Sequence, residues 1–357
     1  MMLHEPFYDP KKTYEENFAE GPFGAFANGE ILTSGEPKYE FLGQKVNSLF
    51  GIPAGPLINA NFCRAAFQKG FDICVYKTVR SDTYPCHPFP NVLSVKVEGD
   101  LTMEKAQEKL VADDEYVEPI SITNSFGVPS RDVPTWQADV KKALASAGPG
   151  QVLVLGFMGT VKEGQTEEGF IADYALAAKL AKETGVKILE TNLSCPNIGN
   201  EGLVCYNLDM TEKVCAAIRK EIGDTPLLLK VGYYKDYADV KKLAEIAGKY
   251  AQGISAINTI SAEVVDKDGK QALPGKNRVR SGVCGSSIKW AGLEMVGKLK
   301  QARAEVGGNW KIVGVGGVTK AEDFKEYLDA GADAVMSATG AMWNPYLARE
   351  IKSKYNI

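Results

Sequence analysis

One short segment combines a cysteine with proline and asparagines in an arrangement suited to acid–base chemistry. In ETNLSCPN, residues 190–197, Cys195 comes three residues after Asn192 and is followed directly by Pro196 and Asn197. Because the proline ring fixes its own backbone angle, we expect a rigid loop here. A cysteine in a polar loop acts as a base or nucleophile when nearby charges set its basicity. Cys195 is therefore the candidate catalytic residue.

The remaining cysteines and the histidines support few other chemistries. The chain has seven cysteines without C-x-x-C spacing, which fits neither a disulfide framework nor a four-cysteine metal or iron–sulfur site. We expect reduced thiols, with Cys74 and Cys215 as core residues. The only histidines are His4 and His87. This scarcity argues against zinc hydrolases and Ser-His-Asp enzymes, because each needs a buried imidazole.

Polar residues recur where short apolar segments end. Amide, hydroxyl and ammonium groups predominate there. They are accompanied by no cluster of carboxylates that would hold a metal ion. Glu190 is the exception, and by strand alternation it shares a face with Asn192. We interpret Glu190 as a buried partner of Lys230 or of another barrel charge. The segment ends are Lys77-Thr78, Asn192, Lys230, Asn258-Thr259, Gly316-Gly317 and Ala338-Thr339-Gly340.

Two small-residue segments are candidates for binding phosphate. GVGG at 314–317 and SATG at 337–340 end the last two apolar segments. Barrels of alternating strands and helices commonly bind phosphate at this place through backbone N–H groups. The alternative is that the glycines only make tight turns, since GxGG alone is weakly specific. Their place on the last two segments favours phosphate.

The elements that must position these residues form a repeating series. From about residue 150, six apolar segments alternate with amphipathic helical segments, the pattern of β–α units on a parallel sheet. Two earlier segments, 52–55 and 73–77, raise the number to eight, which predicts a closed TIM (β/α)8 barrel of the α/β class. The six later segments are 152–157, 188–191, 227–230, 254–258, 312–316 and 334–338.

Three further segments fall outside this repeat. We expect residues 120–124 to belong to a long insertion after the second strand, and residues 262–281 to form an insertion after the sixth. Insertions at C-terminal strand ends lie over the barrel mouth, so both are candidate lids. Residues 1–50 carry turn signals between β-prone runs and predict hairpins that close the bottom. We expect one domain over residues 1–357, with 1–50 as its N-terminal extension.

Composition and charge narrow the choice of partners. The 357 residues include 45 acidic and 41 basic side chains, a net charge of −4, so the chain lacks the positive field that nucleic acid requires. No apolar run approaches the roughly 18 residues that span a bilayer. The N-terminal sequence has neither the apolar core of a signal peptide nor the acid-poor composition of a transit peptide. We therefore expect a cytoplasmic protein without a membrane or nucleic-acid partner.

Seven motifs, taken together, carry a resemblance to a known family. YKT, ITNSFGVP, NLSCPN, LLLK, INTIS, GVGG and SATG, in this order, resemble the FMN-dependent dihydroorotate dehydrogenases over roughly residues 50–345. The cysteine of NLSCPN is similar to the soluble class 1 enzymes, since the membrane-linked class typically has serine there. The INTIS segment also resembles dihydropyrimidine dehydrogenase. One departure is Asn91, at a place where the family commonly has a basic residue.

This resemblance implies a cofactor, a reaction and roles for named residues. It implies FMN, and oxidation of dihydroorotate to orotate with hydride passing to the flavin while Cys195 removes a proton from the adjacent carbon. A homodimer and a small electron acceptor such as fumarate are also implied. The implied substrate-binding residues are Lys77, Asn124, Gly127, Val128, Asn192, Asn197, Asn258 and Thr259. The implied FMN-binding residues are Ala54, Gly55, Lys77, Thr78, Asn124, Asn192, Lys230, Ile257, Gly282, Gly316, Gly317, Ala338 and Thr339.

Two other functions fit the same residues. A flavoenzyme of this kind can act on another dihydropyrimidine, such as dihydrouracil, or on an enone-like compound. A barrel that binds a sugar phosphate can instead be a lyase that uses Lys77 or Lys230 to form a Schiff base. The electron acceptor is open between fumarate, NAD through a partner subunit and another oxidant.

Overall fold

In the computed structural model, which describes residues 3–32, 35–194 and 202–357, strands and helices alternate along most of the chain. None of the helices in these ranges has both the length and the apolar composition needed to cross a membrane. The strands are β1 Tyr39–Phe41, β2 Gln44–Val46, β3 Phe50–Ile52, β4 Ile73–Val79, β5 Ser94–Val95, β6 Lys109–Asp113, β7 Ser121–Asn124, β8 Val152–Phe157, β9 Ile188–Asn192, β10 Leu227–Val231, β11 Gly253–Ala256, β12 Ile260–Val265, β13 Arg280–Gly285, β14 Lys311–Val315 and β15 Ala334–Met336. The helices are α1 Tyr14–Glu20, α2 Ala60–Gln68, α3 Val133–Ala145, α4 Glu167–Lys182, α5 Leu208–Ile222, α6 Tyr237–Tyr250, α7 Lys289–Val306, α8 Ala321–Ala330, α9 Thr339–Trp343 and α10 Leu347–Tyr355.

Eight of these strands form a closed parallel barrel. Around the barrel they follow chain order as β3, β4, β8, β9, β10, β11, β14 and β15, and β15 pairs with β3 to complete the circle. The predicted (β/α)8 barrel is confirmed. The first strand is Phe50–Ile52 rather than 52–55, because Pro53 has no N–H group with which to continue the ladder.

Alternation along the strands separates an apolar layer from a polar layer inside the barrel. Ile188 of β9 and Leu228 of β10 belong to an apolar cluster that fills the lower interior. Two residues further along the same face, Glu190 and Lys230 are buried polar side chains. The strands are in register, with Lys230 opposite Asn192. The polar layer therefore lies at the carboxyl ends of the strands, where barrel enzymes bind their ligands.

The two insertions join in a second sheet over the barrel mouth. β5, β6 and β7 come from the first insertion, β12 and β13 lie around the second, and the five strands close into a smaller barrel. Gly282 of β13 pairs with Asn124 of β7. Since β12 begins at Ile260, four residues after barrel strand β11 ends, the second sheet is attached directly to the mouth. Residues 121–124 are thus a strand of the insertion, as predicted.

The N-terminal region has two separate roles. The β1–β2 hairpin packs Phe41 and Val46 against the apolar layer of the barrel, which confirms the predicted closure of the bottom. The prediction of hairpins is wrong for residues 3–28, which contain α1 and a 3-10 helix. Thr13 and Glu16 form a capping box that starts α1. The N–H group of Phe7 donates to the carbonyl of Met342 at 3.1 Å, which fixes this segment beside the mouth.

A buried ion pair joins the C-terminal helix α10 to the residue before β4. Lys352 Nζ lies 2.7 Å from Asp72 Oδ2, and the two side chains are 5% and 0% exposed. Ser48 Oγ donates to the same carboxylate at 2.5 Å. Burial raises the pKa of Asp72, and Lys352 opposes this shift.

We expect Lys352→Met to lower the free energy of unfolding by roughly 3–5 kcal/mol near neutral pH, because it leaves Asp72 as a buried charge without a cation. The loss should shrink under mildly acidic conditions, since a carboxyl with a raised folded pKa takes up its proton more readily in the folded state. Urea unfolding across this pH range measures the effect. In the control, Asp72→Asn combined with Lys352→Met recovers most of the stability at neutral pH. A loss independent of pH would contradict the argument.

Candidate active site

A cavity lies between the carboxyl ends of the barrel strands and the second sheet, with about 680 Å³ of empty space that includes its opening to solvent. Its wall combines residues from both of these parts and from the N-terminal segment. Segments far apart in the sequence therefore meet in one place, as the barrel prediction requires. The predicted site residues that line the cavity are Ala54, Gly55, Lys77, Asn124, Lys230, Asn258, Thr259, Ala338 and Thr339.

The other predicted residues lie beside this wall or outside the described part of the chain. Cys195 and Asn197 lie outside the described residues. The rest are not in the wall, but each is within two residues of a lining residue or pairs with one across a strand. These adjoining residues are Thr78, Gly127, Val128, Asn192, Ile257, Gly282, Gly316 and Gly317.

Two buried ammonium groups line the cavity. Lys77 and Lys230 are 7% and 4% exposed, and neither ammonium group has a hydrogen bond or ion pair within the described ranges. Burial lowers the pKa of Lys77 from 10.5 to about 8, and the charge of the Arg80 guanidinium makes a smaller contribution in the same direction. Burial also lowers the pKa of Lys230. Because a buried cation without a partner is costly, the cavity fits a ligand with negative charge or several carbonyl groups.

Glu190 lies in the polar layer of the barrel, one strand away from Lys230. Its carboxylate oxygens have no hydrogen-bond partner among the residues that the structure describes. Burial raises the pKa of Glu190, and the charge of Lys230 opposes this shift. The predicted interaction of Glu190 with Lys230 is therefore a longer-range electrostatic attraction rather than a direct ion pair. It leaves the Lys230 ammonium group available to a ligand.

Asparagine amides supply neutral donors and acceptors beside these charges. Asn124 ends β7 and Asn258 follows β11, and both line the cavity. Asn192 ends β9, where its Oδ1 accepts from the N–H group of Ser194 at 3.0 Å. An amide side chain presents a carbonyl and an NH₂ group side by side, which matches a ring with alternating N–H and C=O groups.

Backbone N–H groups after β14 are available to an anion. Gly316 and Gly317 have φ angles of 124° and 67°. Their N–H groups donate to no acceptor in the described chain. A Cβ at Gly317 would lie 2.6 Å from Lys289 Cβ, so only glycine allows this close approach. This arrangement supports the predicted phosphate site, next to Ala338 and Thr339 in the wall.

Several wall residues are not predicted as site residues from the sequence, and Tyr8 is one of them. Tyr8 is 3% exposed, and its hydroxyl has no partner among the described residues. Nothing in the sequence indicates that its segment folds back onto the mouth. Phe126 and Cys284 also line the cavity. Each lies two residues from a predicted residue, Asn124 or Gly282, so strand alternation offers a signal for both.

Comparison with known proteins identifies the family. The family model for dihydroorotate dehydrogenase matches residues 115–356. A dihydroorotate dehydrogenase of Dictyostelium discoideum is 35% identical over 361 aligned residues, which cover 97% of this chain and 96% of the relative. The chain belongs to the dihydroorotate dehydrogenase family. It is therefore an oxidoreductase with the barrel of that family.

Bacterial relatives match a shorter part of the chain. A catalytic subunit named dihydroorotate dehydrogenase B (NAD(+)) from Malacoplasma penetrans is 34% identical over 51% of this chain and 57% of the relative. The subunit of the same name from Maridesulfovibrio salexigens is 35% identical over 49% of this chain and 55% of the relative. The likeness to these subunits thus covers about half of each protein.

We expect Lys77→Met to raise the free energy of unfolding of the ligand-free protein by about 3 kcal/mol at pH 7, at 1.36 kcal/mol per pKa unit. A lysine with a lowered folded pKa destabilises the fold below that pKa. This effect fades as the pH rises from about 8 to 10.5, because only the unfolded state still holds the proton. The difference between variant and wild type should therefore close near the upper end of this range.

Urea unfolding at intervals across this pH range measures the difference, with the exposed Lys141→Met variant as control. A Lys77→Met protein that is less stable than wild type at every pH would show that the ammonium group is structural.

Proposed function

We propose that this protein oxidises dihydroorotate to orotate in pyrimidine biosynthesis, with FMN as hydride acceptor and Cys195 as general base. The observation that carries the proposal is the pair of buried ammonium groups, Lys77 and Lys230, among asparagine amides in one cavity of this family's barrel. A reduced flavin and a substrate carboxylate are both anionic, and these two cations suit them.

The residues present fit FMN. The N–H groups of Gly316 and Gly317, with those of Ala338 and Thr339, would hold its phosphate, and Lys230 would meet the pyrimidine edge of the ring, where a cation stabilises the reduced form. Bound FMN supplies the hydride acceptor. The other FMN contacts that we propose are Ala54, Gly55, Lys77, Thr78, Asn124, Asn192, Ile257 and Gly282.

The substrate site would lie at the Lys77 side of the cavity. The carboxylate of dihydroorotate would accept from the N–H groups of Gly127 and Val128, which have no acceptor in the described chain, and from Lys77. A buried carboxylate requires such donors. The ring amides would bind polar side chains, for which we propose Asn124, Asn192, Asn197, Asn258 and Thr259.

Cys195 would hold and move the proton. Burial raises the pKa of Cys284 and of Cys205 to about 11, so these thiols stay protonated at neutral pH and do not suit the role. Cys195 lies outside the described residues, in the polar NLSCPN segment. As a thiolate it would remove a proton from the ring carbon next to the carbonyl, while hydride leaves the neighbouring carbon.

Family membership favours this redox reaction over the sugar-phosphate lyase. A different dihydropyrimidine stays an alternative substrate, and the spectral titration below distinguishes it. We further propose fumarate as the electron acceptor, within a cytoplasmic homodimer, in keeping with the resemblance to class 1 enzymes. NAD through a partner subunit is the second candidate, since the bacterial relatives are named as NAD(+) enzymes.

Binding spectra of the purified protein test the cofactor and the substrate together. We expect a flavin absorbance band that is perturbed by orotate at lower concentration than by uracil, because uracil lacks the carboxylate that Lys77 and the Gly127–Val128 N–H groups would bind. A colourless protein that gains no FMN on reconstitution would remove the flavin proposal. A preference for uracil would remove dihydroorotate as the substrate.

Substitution of the proposed base tests the mechanism. Cys195→Ala should keep FMN and lose about 10²–10⁴-fold of the rate of flavin reduction by dihydroorotate, the usual contribution of a positioned base. Cys195→Ser should retain some activity, shifted to higher pH because a hydroxyl is harder to deprotonate. Stopped-flow absorbance measures both rates, with the buried helix variant Cys215→Ala as control. An alanine variant as fast as wild type would exclude Cys195.

A further inference from the structure

One buried arginine holds two successive carbonyl groups beside the cavity. Arg80 lies one residue beyond β4 and is 5% exposed. Its Nε donates to the Val128 carbonyl at 2.9 Å and its Nη2 to the Gly127 carbonyl at 3.1 Å. Its Nη1 donates to Thr160 Oγ1 at 2.9 Å and to the Gly159 carbonyl at 3.2 Å. The guanidinium thus links the 127–128 backbone to the end of the next barrel strand.

The backbone that Arg80 holds is in an unfavourable conformation. Gly127 has a φ of 74°, and Val128 has a φ of 55°. A β-branched residue rarely adopts a positive φ, at a cost of about 1–3 kcal/mol, and such a conformation persists only where its surroundings impose it. The two hydrogen bonds from Arg80 hold the carbonyls of these two residues, while backbone hydrogen bonds hold Phe126 and Ser130 on either side.

These carbonyl contacts also set the direction of the N–H groups. In a trans peptide the N–H group points away from the carbonyl of the same peptide unit. Because Arg80 holds the Gly127 carbonyl, the Val128 N–H group faces away from Arg80. The N–H group of His87 donates to the Phe126 carbonyl at 3.0 Å, so the Gly127 N–H group faces away from that segment. Successive N–H groups of this kind form a concavity that binds anions.

We propose that Arg80 is a positioning residue that makes the site specific for a substrate with a carboxylate. By holding the Gly127 carbonyl it presents the Val128 N–H group to the dihydroorotate carboxylate, and its bond to the Val128 carbonyl keeps the 127–128 turn in place beside the Gly127 N–H group. Arg80 thus favours dihydroorotate over dihydropyrimidines without a carboxylate. Arg80 is not in the cavity wall and acts through the backbone. The proposal rests on the proposed function, because that function places the carboxylate here.

The guanidinium has a second, separable effect on the same end of the cavity. Together with burial, its charge lowers the pKa of Lys77. Arg80→Lys keeps the charge but loses the planar fork that reaches two carbonyls, whereas Arg80→Met loses both. The two variants therefore separate backbone positioning from charge.

The test is titration of the FMN-loaded protein with orotate and with uracil, followed by the flavin spectrum. We expect Arg80→Met to weaken orotate binding at least tenfold and to leave uracil binding within twofold of wild type. The orotate affinity of Arg80→Lys should fall between those of wild type and Arg80→Met, since one ammonium group cannot hold both carbonyls in fork geometry. In turnover of dihydroorotate, KM should rise more than kcat falls. The control Arg280→Met removes a guanidinium that binds the carbonyls of Ala106 and Ser261 instead, and should leave both affinities unchanged.

A chemical rescue keeps the test decisive if Arg80→Met does not fold. Low millimolar guanidinium should restore orotate affinity to Arg80→Ala, and methylammonium should restore less, because only guanidinium reproduces the two parallel donors. Unchanged orotate binding in Arg80→Met or Arg80→Lys, or equal losses for orotate and uracil, would overturn the proposal. A wild-type protein that does not bind orotate would instead refute the proposed function itself.

Discussion

The buried ammonium groups of Lys77 and Lys230 are the constraint on which the site depends. Each lies on a barrel strand, is nearly inaccessible to solvent, and has no hydrogen-bond or ion-pair partner within the described residues. A fold accepts two such groups only where a bound ligand or a function compensates for their desolvation. The apolar layer beneath them keeps the lower barrel stable, so the unfavourable charges are confined to the mouth.

The second sheet makes this environment possible. Without it, the carboxyl ends of the barrel strands would be open to water, and lysines there would keep their ordinary pKa. Strands from two separate insertions close over the mouth, and Tyr8 from the N-terminal segment completes the wall. A site shielded in this way strengthens every electrostatic interaction within it, which suits a reaction that creates negative charge.

The loops of the first insertion are held by side chains that bind backbone carbonyls. Asn91 Nδ2 donates to the carbonyls of His87 and Ser125 at 3.1 and 3.0 Å. Arg278, which follows β12 on the second insertion, donates to the Pro90 and Ser125 carbonyls at 2.9 and 3.1 Å. Asn91 stands where the family commonly has a basic residue. Here a guanidinium from the other insertion reaches the same segment, so this departure leaves the loop well supported.

The sequence alone determined the barrel, most of its strands and the residues at their ends. Strand periodicity is local, and the carboxyl ends of parallel barrel strands must meet, so Lys77, Lys230 and Asn258 were predictable as neighbours. Tertiary structure decided what local pattern does not encode: that the insertions pair with each other, that Tyr8 of the N-terminal segment lies at the mouth, and that Arg80 binds the 127–128 carbonyls. These contacts join segments tens of residues apart, and their partners are chosen by burial and hydrogen bonding in three dimensions rather than by spacing along the chain.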